Sequence, residues 1–509
     1  MENLSKESLP LGWELQLYKD VVETISTNGK KVNQKQYETS GTYPIFDQGQ
    51  SYCSGYLSDE DKVINAKFPV LVFGDHTRAV KYVKEPFVAG ADGVKVLEPN
   101  GKVIPELLLY FTQYLSVAIK DKGYARHYQW VAKEQIGIPP LREQRRIVEK
   151  IEELFSELDS GIKSLTKAKQ QLSVYRQALL KQAFEGKLTA QWRAENLNQL
   201  EDSEKLLSTV RKERQVRYEK MIKAWEVDVG LWEQNGKKGK KPTKPAKLQD
   251  ISELPSDNQI PDSWVTMVYG DLCSVVRNGV SKKPIGNDGI KIFRISAVRA
   301  MKFDMEDYRF ISDDKDEFKS FYLERGDLVF TRYNGTRNFV GVAAQYHSDE
   351  RRLFPDKLIQ TRPNLPSIDV AYLERAVNCG SSRKFVESRI RTTAGQSGVS
   401  GSDIKQIPVP LCSLKEQREI NSILDEKLSV IDNLERENEL NLQKSELLRQ
   451  SILKKAFFGQ LVSQDPEDEP ANELLKKIAI EKEELAEKEK AEKAAARKKK
   501  ATAKKTVKS

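Results

Sequence analysis

Apolar residues recur every three or four positions between residues 143 and 188. This spacing is typical of a coiled-coil seam, the stripe of one helix that faces a partner helix. Pro139 and Pro140 precede the stripe and Gly186 closes it, as helix boundaries often do. The pattern therefore predicts a long helix over 143–188. Its predicted seam consists of Ile147, Ile151, Leu154, Leu158, Leu165, Leu172 and Leu179.

A second stripe of the same kind predicts a helix over 415–462. Three polar residues, Asn438, Asn441 and Ser445, interrupt it. The two asparagines either set the register of a helix pair or face solvent, and the sequence favours neither interpretation. The predicted seam of this helix consists of Ile420, Leu424, Leu428, Ile431, Leu448 and Ile452.

The two stripes are copies of one segment. The motif that starts at Glu143 recurs at Glu416, shifted by 273 residues, and over the 46 positions that follow without a gap 16 are identical. A weaker repeat, shifted by 251 residues, relates Trp13 to Trp264, and each tryptophan follows a proline by three positions. We therefore expect two halves with a common plan. We also expect both tryptophans to be core anchors rather than stacking platforms.

Each predicted helix has about 40 residues and spans roughly 60 Å at about 1.5 Å per residue. Its apolar stripe has to be buried, and the other copy is the nearest partner. We therefore expect the two helices to pair as an antiparallel coiled coil with pseudo-twofold symmetry. The alternative is two separate helices, each packed on its own domain.

The segments at about 14–135 and 265–405 differ between the halves and alternate short β-like runs with turns rich in Gly, Asp and Asn. These patterns predict an α/β fold with two mixed α/β domains in tandem, each followed by a long helix. The predicted organisation is a first domain over 1–142, a first helix over 143–188, a connector with a charged helix and a Lys-rich linker over 189–260, a second domain over 261–414, a second helix over 415–462, and a charged, partly disordered C-terminal tail over 463–509.

The chain has 509 residues and a net charge of +9, but this charge is concentrated in two segments. Gly236–Leu248 carries six lysines and no acid, and the residues from Ala471 onwards carry 13 Lys and Arg against 7 Glu. The remainder is slightly acidic, so net charge alone does not indicate a DNA-binding domain. The tail either adds weak, salt-sensitive attraction to DNA or only keeps the chain in solution.

No stretch of the sequence approaches 18 consecutive apolar residues, so no membrane span is predicted. The first residues are polar and do not resemble a secretory signal. The four cysteines lie far apart without metal-binding spacing, which favours reduced thiols. We expect a cytoplasmic protein.

Signatures of catalysis are absent from the sequence. There is no GxxxxGK[ST] phosphate loop, no GxGxxG that opens a helix after a strand, and no Asn/Asp-Pro-Pro-aromatic tetrapeptide of the kind that amino-methyltransferases carry. Glu60-Asp61-Lys62 has the E-x-K shape of some nucleases, but this tripeptide is common by chance in so charged a chain. Three histidines without ligand spacing argue against metal catalysis. These observations favour a recognition subunit over an enzyme.

Three pairs of motifs occur in the same order in both halves: a tryptophan preceded by a proline, a junction that ends in Glu-Gln, and a helix end of the form Ala-Phe-x-Gly-x-Leu. They are Leu9–Trp13 with Ile260–Trp264, Pro139–Gln144 with Pro410–Gln417, and Ala183–Leu188 with Ala456–Leu461. This ordered double set, up to about residue 480, resembles the specificity (S) subunit of type I restriction–modification enzymes. The second junction departs from the pattern, with Cys412 and Ser413 in place of prolines, so we expect its helix start to be less sharply set.

The resemblance implies a non-catalytic chain with two target-recognition domains, each of which reads one half of an asymmetric bipartite target in double-stranded DNA. The paired helices would be the spacer and the docking surface for two methyltransferase (M) subunits, with restriction (R) subunits in the full complex. Methylation of adenine at N6 with S-adenosylmethionine, and cleavage that uses ATP and Mg²⁺, would belong to those partners. No cofactor or metal is expected on this chain.

Two similar domains on antiparallel copies of one helix would meet DNA as a dimer does, with half-sites about one turn, roughly 10 base pairs, apart. Because the domains differ, the half-sites should differ. The length of the helices would then set the number of unread bases between them.

Polar loops that follow strands are the predicted DNA contacts, because Arg suits guanine and Asn or Gln suits adenine in the major groove. The alternative is that they are ordinary surface loops, or that Asp75 and His76 only cap a turn. The candidate residues are Asp75, His76, Thr77, Arg78, Arg126, His127 and Gln129 in the first half and Arg332, Tyr333, Asn334, Thr336, Arg337, Gln396 and Ser397 in the second.

Two rival functions stay open at this point. A coiled-coil adaptor would join proteins without reading DNA, but it would not need two unlike α/β domains. A self-contained restriction enzyme would methylate or cut DNA unaided.

Overall fold

A computed structural model describes residues 4–5, 7, 9–251, 254, 260–285, 287–311, 318–393 and 395–506. Parts of both predicted domains, of the predicted connector and of the predicted tail lie outside these residues. The helices are α1 Pro105–Ala118, α2 Tyr128–Val131, α3 Leu141–Phe184, α4 Ala190–Glu195, α5 Ser203–Gln234, α6 Tyr269–Leu272, α7 Val370–Asn378, α8 Gly380–Arg389, α9 Gly401–Lys405, α10 Leu414–Phe457 and α11 Ala471–Thr506.

The described residues also contain twenty-two short strands. They are β1 Glu14–Leu17, β2 Val22–Ile25, β3 Tyr43–Phe46, β4 Gly55–Leu57, β5 Val70–Gly74, β6 Val80–Val83, β7 Val88–Ala89, β8 Val94–Pro99, β9 Gln135–Ile138, β10 Val265–Val268, β11 Cys273–Asn278, β12 Ile290–Phe293, β13 Val298–Arg299, β14 Lys302–Phe303, β15 Tyr308–Ile311, β16 Leu328–Thr331, β17 Tyr333–Asn334, β18 Ala343–Gln345, β19 Leu358–Pro363, β20 Arg391–Thr393, β21 Gln396–Gly398 and β22 Pro408–Leu411.

The chain forms two compact units. Unit 1 contains residues up to 167 and from 438 onwards, and unit 2 contains residues 168–437. Each unit thus holds one mixed α/β module together with part of α3 and part of α10. Neither unit is a continuous half of the sequence.

Unit 1 is built on an antiparallel sheet with the strand order β2-β8-β5-β6. Strand β5 is entirely buried, as its run Val-Leu-Val-Phe-Gly suggests for a central strand. The same module contains a second sheet with the strand order β4-β3-β7. The first strand, β1, pairs with β9, the last strand before α3.

Unit 2 repeats this plan with a different set of loops. Its main sheet has the antiparallel order β11-β19-β16-β18, and its first strand, β10, pairs with β22, the last strand before α10. The pairing of first and last strands returns the chain to the start of its module, where the long helix begins. The common topology explains why the sequence repeat is strongest at the module boundaries.

Within unit 1, α3 and α10 pack as an antiparallel pair. Arg449 forms an ion pair with Asp159, and further along the pair the Asn438 side-chain amide donates to the Leu165 carbonyl at 3.0 Å. Asn438 is buried. Because residue 438 is residue 165 shifted by 273, each copy of the repeat here meets its own counterpart.

Within unit 2, the same two helices also pair in an antiparallel sense. Arg176 is ion-paired with Asp432 and, at 3.0 Å, with Glu435. Arg176 and Asp432 are the repeat counterparts of Arg449 and Asp159, so each unit contains one copy of the same ion pair. The antiparallel pairing predicted from the two stripes is therefore confirmed in each unit, and the alternative of separate helices is wrong.

The predicted seam residues are placed largely on the inner face of the helix pair. Those that the structure buries are Ile147, Ile151, Leu179, Ile420, Leu424, Ile431 and Ile452. Those that it leaves partly buried are Leu154, Leu158, Leu165, Leu172 and Leu428.

Leu448 does not lie in the seam, contrary to the prediction, because its side chain is 51% exposed. The inner positions of this part of α10 are Asn438, Leu442, Ser445, Arg449 and Ile452, which keep the alternating steps of four and three. Three of these five are polar. The apolar pattern alone therefore selected the neighbouring, outward-facing leucine.

The connector and the tail contain more helix than the sequence predicts. The charged helix α5 extends from Ser203 to Gln234, and its buried residues Leu206 and Val210 pack in the core of unit 2. The predicted tail contains α11, whose first residue, Ala471, is buried in unit 1 and whose backbone N–H donates to the Gly12 carbonyl. The start of this tail is thus part of a folded unit.

Candidate nucleic-acid interface and its supporting junctions

A buried Trp–Glu hydrogen bond lies at the base of each module. In unit 1 the Trp13 indole N–H donates to Glu143 Oε2 at 3.0 Å, and the Gln464 amide donates to Glu143 Oε1 at 2.7 Å. Trp13 and Glu143 are both buried, and the β1–β9 pairing brings them together from opposite ends of the module. The prediction that this tryptophan is a core anchor is confirmed.

Unit 2 contains the same hydrogen bond, between Trp264 and Glu416 at 2.9 Å. Here the carboxylate has a further neighbour of opposite charge, because Arg193 approaches Glu416 Oε1 at 2.7 Å and Thr189 donates to the same oxygen. Trp264 is buried, as predicted. The two junctions thus share their geometry but differ in charge.

This difference has an electrostatic consequence. Burial raises the pKa of Glu143, and the hydrogen bonds from Trp13 and Gln464 offset only part of this effect. Arg146, about one helical turn from Glu143, is bonded instead to Asp468 at 2.6 Å. Glu143 is therefore a buried carboxyl that is held by neutral donors.

The glutamine that follows each of these glutamates ties three backbone segments together. Gln144 accepts from the Ile104 N–H at 2.8 Å and donates to the carbonyls of Lys102 and Pro139. Gln417 makes the equivalent set of bonds in unit 2. Its bonds are to the Asp369 N–H and the carbonyls of Ser367 and Cys412. The repeated Glu-Gln dipeptide is thus explained by structure: it fixes the long helix to its module.

A glycine after each long helix allows a second close approach. Gly186 and Gly459 have φ values of +68° and +67°, where glycine is favoured. A Cβ atom on Gly186 would lie 2.4 Å from Pro261 Cγ, and one on Gly459 would lie 2.3 Å from Pro10 Cγ. Each proline is the one that precedes the buried tryptophan. The helix ends therefore need glycine for conformation and for space.

The second junction has a definite helix start despite its departure from the proline pattern. Cys412 is buried, and the Ser413 hydroxyl accepts from the Glu416 N–H at 3.4 Å, as a helix cap does. Helices α3 and α10 both contain 44 residues. The expected loss of definition is not observed because serine supplies a cap where proline is missing.

In unit 1 the two predicted loops lie together, but some of their residues are structural. Asp75 and His127 are buried. Asp75 Oδ1 accepts from the Tyr128 N–H at 2.8 Å, and the His127 ring contacts the Asp75 carbonyl. The polar atoms of these two side chains thus stabilise the loop pair.

The remaining polar residues of this loop pair are more accessible. The Thr77 hydroxyl donates to the Gln48 carbonyl, and Arg78 is ion-paired with Asp121 at 2.8 Å. His76 stacks on the ring of Tyr124. The fully exposed members of the predicted set are Thr77, Arg126 and Gln129.

In unit 2 the two predicted loops form one small sheet, β17-β21-β20. Tyr333 lies opposite Gly398, and Asn334 lies opposite Ser397. The sequence places these loops about 60 residues apart, so their pairing is a result of the fold. Ser397 is buried and its hydroxyl bonds to the Thr392 hydroxyl, so its polar atom has a partner within the sheet.

The other candidates of unit 2 lie in this sheet or in the segments that flank β17. Arg332 stacks over the Tyr333 ring at 4.7 Å and donates to the Asp356 carbonyl. The Arg337 guanidinium donates to the Glu387 carbonyl, and the Asn334 side chain accepts from the Thr336 N–H. Those that the structure leaves exposed are Thr336, Arg337 and Gln396.

Sequence reasoning missed Arg391 in this interface. It is exposed in β20 and pairs with Gly398 of β21, so it lies on the same small sheet as the predicted loops. The only sequence signal was an arginine five residues before Gln396.

Two negative findings also apply to the described residues: they contain no metal-binding cluster of His, Cys, Asp and Glu, and none of their helices has the length and apolar content to traverse a bilayer.

Comparison with known proteins identifies the family. The family model described as the type I restriction modification DNA specificity domain matches residues 10–168. The specificity subunit of the type I restriction enzyme EcoKI from Escherichia coli strain K12 is 32% identical over 358 residues, 68% of this chain and 64% of that subunit. The EcoDI specificity subunit from Escherichia coli is 23% identical over 494 residues, 94% of this chain and 97% of that subunit.

A solved structure has the same fold. It concerns complex assembly and conformational transition of the type I R-M system, and one of its chains matches with a TM-score of 0.57 at 15% identity, over 89% of this chain and 99% of that chain. The fold and the double junction thus define a protein of the specificity-subunit class. The chain belongs to the family of type I restriction–modification specificity subunits, and its match spans about 64% of the EcoKI subunit's length.

Proposed function

We propose that this chain reads DNA sequence for a type I restriction–modification complex, with one half-site of an asymmetric bipartite target assigned to each unit. The observation that carries the proposal is the contrast within the repeat. The two junctions are almost identical down to single hydrogen bonds, whereas the loops at 75–78, 124–129, 331–338 and 395–398 differ in sequence and structure. A shared base with unlike polar loops suits two different half-sites.

The chemistry of the accessible loop residues supports this role. Arg126 and Gln129 in unit 1, and Arg337 and Gln396 in unit 2, are exposed side chains of the types that hydrogen-bond base edges in the major groove. Exposed Thr77 and Thr336 suit phosphate contacts. Direct base reading by a few residues then gives specificity, and phosphate contacts fix position.

The partners in this proposal are two M subunits, docked on the long helices, and R subunits in the full complex. These partners would use S-adenosylmethionine, ATP and Mg²⁺ for methylation and cleavage, and this chain would be a non-catalytic, cytoplasmic component. Exposed apolar residues on α10, including Val430, Leu434 and Leu447, are consistent with a helix pair that has a further protein partner.

Selection from random DNA tests the proposal. The chain, purified with the M subunit of its own system, is mixed with duplexes that contain a long randomised segment, and retained DNA is sequenced. We expect one bipartite motif with two unlike half-sites. Retention without any shared motif would contradict DNA reading. The M subunit alone is the control.

A further inference from the structure

The turn after β3 holds Gln48 in a fixed position next to the first predicted loop. The carboxylate of Asp47 accepts from the Gly49 N–H at 2.8 Å and from the Ser54 hydroxyl at 2.6 Å, and it lies 3.6 Å from the buried amino group of Lys81. The Thr77 hydroxyl donates to the Gln48 carbonyl. The backbone of Gln48 is therefore anchored from both sides.

The side chains of Gln48 and His76 converge on one spot, and each has a polar atom without a hydrogen bond. Gln48 Oε1 and His76 Nδ1 are buried and have no partner in the described part of the chain. A Cβ atom on Gly93 would lie 2.6 Å from Gln48 Oε1 and 2.9 Å from His76 Cδ2. Gly93, with a φ of +91°, leaves room for both side chains there. Unpartnered buried polar atoms are rare and point to a missing ligand or water.

An exposed aromatic ring stacks on His76. Tyr124 stacks on the His76 ring with centroids 4.2 Å apart and an interplanar angle of 4°. Its side chain is 84% exposed, and the preceding residue, Gly123, has a φ of +66° in an open turn. An exposed tyrosine on a ring whose Nδ1 lacks a partner is suited to pack against a flat, hydrogen-bonding group.

We propose that Gln48, His76 and Tyr124 form a base-reading subsite of unit 1, with Gln48 reading an adenine in the major groove of duplex DNA. This inference rests on the proposed function. A glutamine amide matches adenine because its oxygen accepts from N6–H and its nitrogen donates to N7. Tyr124 packs against the edge of the same or the adjacent base pair, and the adenine edge supplies the hydrogen bond that Gln48 Oε1 lacks.

The test compares variants of the full chain, in complex with the M subunit, in the same selection from random duplex DNA. We expect Gln48→Ala and Tyr124→Ala to lower base discrimination at one or two adjacent positions of one half-site by roughly 5- to 150-fold, and to leave the other half-site unchanged. Gln48→Glu should shift the preferred base at that position towards cytosine, whose N4 amino group donates to a carboxylate. Gln443→Ala, an exposed glutamine on α10, is the matched control.

Two results would be decisive against the inference. If the wild-type complex selects a bipartite motif and all three variants select it with the same discrimination, Gln48 and Tyr124 do not read bases, although the proposed function stands. If the wild-type complex selects no motif, the proposed function fails and the inference with it. The unchanged remaining positions of the same half-site report that unit 1 of each variant is folded.

Discussion

At the scale of single residues, the two junctions differ in how they compensate a buried carboxylate. Glu416 has Arg193 at 2.7 Å, whereas Glu143 has only the neutral donors Trp13 and Gln464. A buried charge that loses its partner is costly, but a buried carboxyl without a partner of opposite charge already tends towards its neutral form. The same substitution at the two repeat positions should therefore change stability by unequal amounts.

We predict that Glu143→Gln changes stability at neutral pH by less than about 1 kcal/mol, since its amide oxygen still accepts from Trp13. Glu416→Gln should destabilise unit 2 by about 3 kcal/mol, because it leaves Arg193 without its carboxylate. Thermal and urea unfolding of the two variants measure this contrast. Equal losses for both substitutions would contradict it.

The pH dependence of Glu143 has a definite sign. Because burial raises its pKa in the folded state, the native chain binds this proton more readily than the unfolded chain. The contribution of Glu143 to the free energy of unfolding is therefore largest at low pH and decreases as pH rises from the ordinary glutamate pKa through the raised one. Glu143→Gln should remove this decrease, which urea unfolding across mildly acidic pH would detect.

Sequence reasoning at this scale identified both tryptophans as anchors but overestimated the loops. Asp75, His127 and Ser397 are polar residues in turns, and only the fold shows that their polar atoms bond to protein. No sequence pattern identified Gln48 as a candidate, because its closeness to His76 depends on how the turn after β3 packs beside the 74–78 turn.

At the scale of elements, the polar interruption in α10 places a buried asparagine inside the helix pair. The Asn438 amide donates to Leu165, but its Oδ1 is buried without a partner in the described residues. A polar residue at a seam position costs stability and favours one register over others. The sequence left open whether the asparagines set the register of the helix pair or face solvent. Burial of Asn438 favours the first interpretation for this residue. Its effect on the choice of register is a prediction.

We predict that Asn438→Leu stabilises the chain by about 1 kcal/mol, because it removes a buried, unpartnered oxygen and adds apolar contact. Gln443→Leu is the control, since this residue is exposed and should change stability by less than about 0.5 kcal/mol. Urea unfolding followed by circular dichroism compares them. A less stable Asn438→Leu variant would show that the asparagine stabilises the pair.

The helices themselves could be predicted because period, boundaries and repeat all agreed. The positions that face inward near residue 448 could not be predicted, because the polar residues Asn438, Ser445 and Arg449 occupy them. Arg449 is accommodated by its ion pair with Asp159 and by the ring of Phe155, at 4.3 Å. These are tertiary contacts that an apolar pattern does not contain.

At the scale of the whole molecule, the proposed function makes helix length a determinant of target spacing. Each long helix contributes residues to both units. We predict that removing seven residues from matching points of both helices keeps the seam in phase and shortens the unread spacer by about three base pairs, since seven residues span about 10.5 Å. Both half-sites should stay the same.

Sequencing of selected DNA checks this prediction, with a double substitution of exposed helix residues as the control. An unchanged spacer in a folded deletion variant would contradict the idea that the helices measure the gap.

The measurement that tests the central claim most directly is methylome sequencing of host DNA after co-expression of this chain with its M subunit. The account predicts N6-methyladenine at a single asymmetric bipartite motif, and no such motif when either subunit is expressed alone. Methylation by the M subunit at the same motif without this chain, or a stable complex that leaves no motif in the host DNA, would contradict the claim that this chain reads the sequence.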